Sequence, residues 1–454
     1  MSGDGIQLYG ALYGTPAMRE IFSVRRRLGA MLDVEVALAR AEGQLGVIPA
    51  AAAEAIAAAA GVDRLDVETI VALTQNVGYP VVPLIQQVAQ LAGNDAGRYV
   101  HWGATTQDIL DTATVLQLRD AFELLESDLA AIARALVSRA QLHRGDVMAG
   151  RTHLQHALPI TFGYACAVWL APLLDHVERL RSVRERVLTL QFGGAVGTLA
   201  SLGKHARDVA VALAEGLQLR VPDAPWHVDR SVFAEAAAAV GVACGSLAKI
   251  ATDVALLMQT EVAEVFEPHA PGRGGSSTMP QKRNPIACEY VLATTRGVHA
   301  LVPLMLQATA GDHQRSTGPW QTEEIALPQI FVLASAAFAQ TRTIAEGMTV
   351  DAARMRHNVD ATAGLIASEA VAMALAEHVG HSAAHAIVSD ACATAITAQQ
   401  PLLDELVTRP EVTHYFDRAA LEQLLDPARY LGESGAIVDR VVRRAARILT
   451  PMSP

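Results

Sequence analysis

Apolar side chains recur through most of this chain at the spacing of an α-helix. Two runs in the middle of the sequence show the pattern clearly, with alternating steps of three and four residues. The first run is Leu125, Leu129, Ile132 and Leu136. The second run is Leu247, Ile250, Val254 and Leu257. Such steps place each run on one stripe of a helix, as in helices that pack nearly parallel in a bundle.

The chain divides into three regions by the length of its helical segments. Residues 1–104 contain short segments, interrupted at Gly61 and Gly78. Residues 105–350 contain longer segments, with many small residues between the apolar stripes. Residues 351–454 return to short segments. We therefore predict an all-α fold, in which a central bundle of long helices lies between smaller helical N-terminal and C-terminal domains.

The composition agrees with closely packed helices. Of the 454 residues, 51% are hydrophobic but only 5% are aromatic, so the apolar content comes largely from Ala, Leu and Val. This content is enough for a core without disulfides, and it favours helices over a β-sandwich. Long helices usually bury a second face against another subunit, so we expect an oligomer.

The charge balance narrows the possible partners. The chain has 36 basic and 47 acidic residues, a formal charge of −11, and no long basic run. We therefore expect no nucleic-acid partner. If an acidic protein of this kind binds an acidic substrate, its cations must be collected in short local motifs.

Other features predict a cytoplasmic protein. The four cysteines are far apart and form no CxxC pair, so we expect reduced thiols and no zinc site. The N-terminus lacks the pattern of a signal peptide. The stretch 157–174 carries no formal charge, but Pro159 and Pro172 interrupt it. We interpret it as a helix buried within an oligomer, and we expect no membrane partner.

The strongest candidate for a functional site is the stretch from Gly272 to Pro285, GRGGSSTMPQKRNP. Its three glycines precede Ser276 and predict a loop whose backbone can approach a ligand. The proline that ends the stretch stiffens the exit, where Lys282 and Asn284 supply a cation and an amide. A loop of this kind suits carboxylate binding, although a glycine-rich loop alone is more often just a solvated one.

This stretch resembles the GSSxMPxKxNP signature of the fumarase/aspartase superfamily. Two further stretches resemble its other conserved regions, in the expected order. They are HWGATTQD at 101–108, where the family usually has Thr-Ser or Ser-Ser at 105 and 106, and GRTHLQ at 150–155. The resemblance implies an enzyme that acts next to a carboxylate through an aci-carboxylate carbanion. It also implies a small di- or tricarboxylate substrate, no cofactor, no metal, and a homotetramer whose active sites each combine three subunits.

The resemblance assigns catalytic roles to four residues. Ser276 resembles the general base that removes a proton beside the carboxylate. Lys282, together with Asn284, would hold the carboxylate on which charge develops. His153 resembles the second proton-transfer residue, and Glu289 matches the carboxylate that polarises this histidine.

The remaining candidates would bind the substrate or position other side chains. They are His101, Thr105, Thr106, Asp108, Arg151, Thr152, Gln155, Ser277, Met279, Asn284 and Arg315. For His101 a structural hydrogen bond is the alternative, and for Arg315 it is a solvated surface turn. The glycine-broken stretch 191–203 is either a helix kink or a backbone contact to substrate.

The flanking sequence is similar to bacterial 3-carboxy-cis,cis-muconate cycloisomerases. The similar stretches are 8–10, 31–42, 46–49 and 191–203. In such enzymes a carboxylate oxygen adds to a conjugated diene acid, and the carbanion is then protonated. Those enzymes often have Trp where this chain has His153, which keeps C–N lyases and epimerases of adenylosuccinate, iminodisuccinate or nitrosuccinate type as alternatives. A non-catalytic, crystallin-like protein is a remote alternative, since the expected catalytic residues are all present.

Overall fold

The computed structural model describes residues 8–270, 272–276 and 278–450, and helices dominate this part of the chain. The α-helices are α1 (Pro16–Ile21), α2 (Val24–Gln44), α3 (Ala50–Ala59), α4 (Val67–Val77), α5 (Val81–Ala92), α6 (Asn94–Gly97), α7 (Thr106–Leu142), α8 (Phe162–Val187), α9 (Ala206–Leu217), α10 (Ser231–Leu257), α11 (Ile286–Gln307), α12 (Glu323–Gly347), α13 (Ala352–Asp360), α14 (Ser368–Val379), α15 (His381–Ala398), α16 (Leu402–Leu406), α17 (Pro410–Thr413), α18 (Arg418–Leu424) and α19 (Ser434–Ile448). Short 3-10 turns occur at Gly10–Leu12, Val62–Arg64, Ala200–His205, Pro319–Thr322, Leu365–Ala367 and Pro427–Arg429. The strands are β1 (Val147–Thr152), β2 (Gln155–Thr161), β3 (Val265–Phe266) and β4 (Thr349–Val350), paired antiparallel as β1–β2 and β3–β4.

The longest helices lie in the middle of the chain, as the apolar pattern predicts. Helix α7 has 37 residues, and α8, α10, α11 and α12 have between 22 and 27. All eight residues of the two apolar runs are buried, with Leu257 the most exposed at 7%. The all-α fold with long central helices is therefore confirmed.

One element differs from the sequence prediction. Residues 157–161, expected to begin a helix, belong to β2, and α8 begins only at Phe162. The pairing of Ala149 with Pro159, beside a register shift between Ala149 and Arg151, explains how a proline fits in this strand. Proline lacks an N–H, so it is tolerated at an edge or an irregularity of a ladder.

Two other helical stretches meet the length and hydropathy of a membrane span. They are Ser231–Leu257 and Pro319–Gly347, with 50% and 56% of their apolar windows buried inside the chain. Apolar surface therefore remains on both. An oligomer of the kind predicted from the sequence would have this surface available for its subunit contacts.

The chain packs as two compact units, and their boundaries fall inside long helices. Unit 1 contains Met1–Asp128, His176–Leu247 and Tyr290–Ala339. Unit 2 contains Leu129–Asp175, Ala248–Glu289 and Gln340–Pro454. The division into N-terminal, central and C-terminal regions rests on helix length and stays a prediction.

In unit 1, small residues allow α2 to pack closely on its neighbours. Met31 and Leu38 lie on the buried face of α2, and Ile56 is buried on the alanine-rich α3. A Cβ atom added to Gly43 would lie 2.6 Å from the Cβ of Ala53. The close approach of these two helices therefore depends on a glycine facing an alanine.

In unit 2, the β1–β2 hairpin has its own small core. Ala149 of β1 packs with Val359 of α13 and with Ile366 of the adjoining 3-10 turn. A second core forms among the short helices near the C-terminus, around Val371 and Leu402. The first core holds the base of the hairpin, whose tip carries the RTHLQ motif.

Candidate active site

The Ser276 loop is closed at its base by backbone contacts. The Asn284 N–H donates to the Gly274 carbonyl at 2.9 Å, and Gly275 forms an antiparallel bridge with Arg283. Gly274 has φ +64°, and a Cβ added there would lie 2.7 Å from the Asn284 carbonyl oxygen. The loop base therefore requires glycine at 274, for both its backbone conformation and its contact.

Within the loop, the Ser276 hydroxyl is held by two backbone N–H groups. Its Oγ accepts hydrogen bonds from Met279 N at 2.9 Å and Thr278 N at 3.2 Å. Such donors stabilise an oxyanion, so they favour the alkoxide form that a serine base requires. Met279 and Lys282 are exposed, Asn284 is half-buried, and Ser277 lies outside the described residues.

His153 lies at the tip of the β1–β2 hairpin. Thr152 pairs with Gln155, and the two residues between them, His153 and Leu154, have φ values of 51° and 64°. Positive φ at both central positions is the pattern of a type I′ turn, which ordinarily selects Asn-Gly. The residues from Thr152 to Gln155 are all exposed, so the hairpin presents the imidazole to the outside of the chain.

Glu289 lies in the first turn of α11 and is also exposed. Among the described residues, no hydrogen bond or ion pair joins it to His153 within the chain. The start of α11 is capped by Glu267. Its carboxylate accepts hydrogen bonds from Cys288 N at 2.7 Å and from Ala287 N at 3.0 Å. A carboxylate at this position satisfies two free N–H groups and complements the helix dipole.

Arg151 is engaged inside unit 2. Its two terminal nitrogens donate to the buried Glu264 carboxylate at 2.7 and 2.9 Å. Asn358 Nδ2 donates to the same carboxylate at 2.8 Å. The guanidinium of Arg151 therefore already has a partner in the chain, and its substrate-binding role stays a prediction.

In unit 1, Thr105 and Thr106 stand at the start of α7. Thr105 N donates to Asp108 Oδ2 at 3.1 Å, and Asp108 N donates to the Thr105 carbonyl at 3.0 Å. The first contact is one half of a capping box. Both threonines are partly exposed beside a helix N-terminus, which is a suitable place for a carboxylate.

Asp108 is buried, and both of its carboxylate oxygens accept hydrogen bonds, three from backbone N–H groups and one from a side chain. Besides Thr105, it accepts from Gly194 N at 2.9 Å, Gly193 N at 3.0 Å and Gln191 Nε2 at 3.1 Å. Burial raises the pKa of Asp108 to about 6, although these hydrogen bonds act in the opposite direction. Asp108 thus ties the irregular stretch that begins at Gln191 to the start of α7.

Arg315 binds the carbonyl groups of the stretch whose N–H groups Asp108 binds. Its Nη2 donates to the Gly194 carbonyl at 2.9 Å and to the Ala195 carbonyl at 3.1 Å. Its Nη1 donates to Gln107 Oε1. Arg315 is half-buried, and its guanidinium is engaged within unit 1; its role as a substrate contact stays a prediction.

His101 has the structural partner that the sequence left as an alternative. Its Nδ1 lies 2.6 Å from Oε1 of Glu35, a buried residue of α2. Burial by itself lowers the pKa of His101, but the hydrogen bond and the charge of Glu35 raise it above its ordinary value. The imidazole is therefore held toward its cationic form.

The sequence prediction missed the buried polar residues that support these candidates. They are Glu35, Gln107, Gln191, Glu264 and Glu267. The one available signal was an acidic residue at an apolar position, as at Glu35 between Met31 and Leu38 on one helix face. Their partners are distant in sequence, so the pattern alone could not identify them.

Other features of the described residues add no candidate side chain to this site. A cavity of about 480 Å³ in unit 1 is lined by Arg27, Asp111 and Arg230 among others, and by no described candidate site residue. No three His, Cys, Asp or Glu side chains of the described residues come together as a metal cluster. The four cysteines are free, and only Cys392 is not buried.

The chain matches two sequence models of protein families. Residues 13–299 match the family described as "Lyase", and residues 364–441 match "Adenylosuccinate lyase C-terminus". The chain belongs to the fumarase/aspartase superfamily of lyases. It is therefore an enzyme.

Similar proteins cover almost the whole length of this lyase. It is 45% identical to the 3-carboxy-cis,cis-muconate cycloisomerase of Pseudomonas aeruginosa, over 96% of both chains. It is 42% identical to trans-aconitate decarboxylase 1 of Mycosarcoma maydis, over 95% of this chain and 88% of that one. The crystal structure of the 3-carboxy-cis,cis-muconate lactonizing enzyme from Pseudomonas putida matches with a TM-score of 0.93 and 45% identity, over 97% and 99% of the two chains.

Proposed function

We propose that this lyase is a 3-carboxy-cis,cis-muconate cycloisomerase. The reaction type is supported by Ser276, whose hydroxyl accepts two backbone N–H hydrogen bonds in a loop that also carries Lys282 and Asn284. The substrate is supported by the 45% identity to a cycloisomerase over 96% of the chain.

The proposed reaction is the addition of a substrate carboxylate to a double bond, followed by protonation of the resulting carbanion. A carboxylate oxygen of the substrate forms a C–O bond at the β-carbon, and the electron pair moves onto the carbon next to the carboxylate. Lys282 and Asn284 stabilise the aci-carboxylate that results. Ser276 then donates its proton to the carbanion, and the N–H groups of Thr278 and Met279 stabilise the alkoxide until solvent water returns a proton to it. In the reverse direction the alkoxide removes this proton, and the internal carboxylate leaves.

The proposal includes a homotetramer with shared active sites. It is supported by the exposure of His153 and Glu289, which no hydrogen bond or ion pair joins in the described part of a single chain. Catalytic groups that are exposed and separate in one chain can meet at an interface between chains. The tetramer and the cytoplasmic location stay predictions.

His153 favours a second candidate, a C–N lyase or epimerase of a succinate derivative. An imidazole can protonate a nitrogen leaving group, whereas the tryptophan often found at this position in cycloisomerases cannot. The substrates of this class are adenylosuccinate, iminodisuccinate and nitrosuccinate. The decarboxylase relative at 42% identity also shows that similar sequences occur with different activities.

An ultraviolet assay with 3-carboxy-cis,cis-muconate tests the proposal, since cyclisation removes the diene absorbance. We expect turnover by the wild-type enzyme and a kcat lowered about 100- to 10,000-fold in Ser276→Ala, because the proton donor is lost. Ser138→Ala, on an exposed part of α7, is the control and should retain full activity. Wild-type turnover that Ser276→Ala leaves unchanged would remove Ser276 from the mechanism. If the diene persists with wild-type enzyme, the second candidate is tested with its three substrates.

A further inference from the structure

Four consecutive residues of unit 2, Glu264–Glu267, contact each of the elements that carry the proposed catalytic groups of that unit. We refer to them as the EVFE segment. Its two central residues form β3 and pair with Val350 and Thr349 of β4. Both of its glutamates are buried, with 0% and 4% of their surface exposed. A buried carboxylate is costly unless it is paired, so the partners of these two acids define what the segment holds.

The first partner is the hairpin that carries His153. Glu264 accepts two hydrogen bonds from Arg151, which lies two residues before His153 in β1. Asn358 of α13 completes the contacts of this carboxylate. A bidentate guanidinium–carboxylate pair restricts orientation as well as distance, so it fixes the end of β1 relative to β3.

The second partner is the base of the Ser276 loop. Arg283 Nη2 donates to the Glu267 carbonyl at 3.0 Å, and its guanidinium lies 4.9 Å from the centre of the Phe266 ring. Arg283 is also the residue that bridges to Gly275, next to Ser276. The segment therefore anchors the side of the loop on which the serine stands.

The third partner is the start of α11. The Glu267 carboxylate accepts from the N–H groups of Ala287 and Cys288, and Glu289 follows directly. The cap thus determines where the first turn of α11 begins, and with it the position of Glu289.

We propose that the EVFE segment sets the positions of His153, Ser276 and Glu289 within unit 2, with Glu264 and Glu267 as positioning residues. Arg151 belongs to this arrangement and does not bind substrate. The role in turnover rests on the proposed function, because it requires that the three positioned residues be catalytic. The contacts themselves do not depend on the identity of the substrate.

Hydrogen exchange of the protein without substrate tests the positioning directly. Glu264→Gln should speed amide exchange in β1 and β2 about 10-fold and leave residues 274–288 unchanged. Glu267→Gln should instead speed exchange in residues 274–288 and leave β1 and β2 unchanged. Glu261→Gln is the matched control, since its exposed side chain lies in the same stretch and the described residues hydrogen-bond to its carbonyl but not to its carboxylate. Exchange that rises over the whole of unit 2, or in neither element, would overturn the proposal.

Kinetics test the consequence for catalysis. Each glutamine variant should lower kcat about 10- to 100-fold and change KM less than about 3-fold, because misplaced catalytic groups slow the chemistry without removing binding contacts. Arg283→Lys provides a milder variant if Glu267→Gln does not fold. If activity falls only because less of the variant is folded, and kcat per folded molecule is unchanged, the proposal is contradicted. If the wild-type enzyme does not convert the muconate, the proposed function fails, and the exchange pattern still decides the positioning.

Arg151 is tested by a double-mutant cycle with Glu264. Arg151→Lys should lower kcat with little change in KM, and combining it with Glu264→Gln should cost no more than the more severe single change. A substrate-binding Arg151 would instead raise KM, and its effect would add to that of Glu264→Gln. That result would return Arg151 to the substrate site.

Discussion

Glu42 is a buried acid whose carboxylate has no hydrogen-bond partner among the described residues. Both of its carboxylate oxygens are buried, and its side chain lies on the same face of α2 as Glu35. Burial, with a smaller contribution from the charge of Glu35, raises the pKa of Glu42 to about 8. The folded enzyme therefore keeps a proton on Glu42 at neutral pH, which the unfolded chain releases.

We predict that Glu42→Gln makes stability less dependent on pH. The pKa of Glu42 rises on folding from 4.5 to about 8, so the wild type loses stability as pH increases through this window. Glutamine cannot ionise in either state. Between pH 5 and 8, the wild type should lose on the order of 2 to 4 kcal/mol more than the variant. Urea unfolding at both pH values measures this difference.

Glu54→Gln on α3 is the control for this experiment. Its side chain is 71% exposed and lies 3.8 Å from Arg40, so Glu54→Gln removes only a surface contact that solvent screens. An equal response of the two variants to pH would contradict an uncharged Glu42 in the folded enzyme.

His101 shows what residue types alone can identify. The HWGATTQD motif marked His101 as either a ligand contact or a structural hydrogen bond. Its partner Glu35 lies 66 residues earlier on α2. No local spacing connects two such positions, because the contact depends on the packing of α2 beside the segment that precedes α7.

The hairpin is the element that sequence reasoning missed. Its turn residues, His153 and Leu154, lack the Asn-Gly signal of a type I′ turn, and β2 contains a proline. The local preferences of this stretch therefore did not indicate two paired strands. The observed conformation is held by the ladder, by the core around Ala149 and by the Arg151–Glu264 pair.

The Ser276 loop offers a matched pair of glycine variants. Gly274→Ala should lower kcat about 10- to 100-fold, because the new methyl group meets the Asn284 carbonyl at 2.7 Å and the residue has φ +64°. Gly275→Ala should have a much smaller effect, since nothing lies within 4 Å of its added Cβ. Steady-state kinetics of the two purified variants measure the difference. Equal losses would mean that the closed loop base is not what turnover requires.

At the scale of the whole molecule, the proposed tetramer makes a quantitative prediction. This prediction takes His153 as the second proton-transfer residue, so that His153→Ala is inactive by itself, like Ser276→Ala. Subunits of the two variants, unfolded together in equal amounts and refolded, should then regain about a quarter of wild-type activity. In the proposed tetramer the two motifs of one site come from different subunits, so random assembly gives that fraction of intact sites. Turnover of the refolded mixture, compared with refolded wild type, is the measurement.

The control for this mixture uses two changes in one motif. Ser276→Ala mixed with Lys282→Ala should remain inactive, because both residues reach a site from the same subunit. Recovery in both mixtures, or in neither, would contradict active sites that are shared between subunits.

The sequence by itself determined the fold class, the long central helices, the superfamily and the residue types that carry the chemistry. These properties are encoded locally, in apolar stripes such as Leu125 to Leu136 and in contiguous motifs such as that around Ser276. Tertiary structure alone decided that His153 stands on a hairpin, and that Arg151 pairs with Glu264. It also decided that Asp108 and Arg315 hold one backbone stretch from opposite sides. These are contacts between buried or partly buried polar groups that lie 83 or more residues apart. They form only where packing removes water and leaves each group no partner except the one that the fold brings to it.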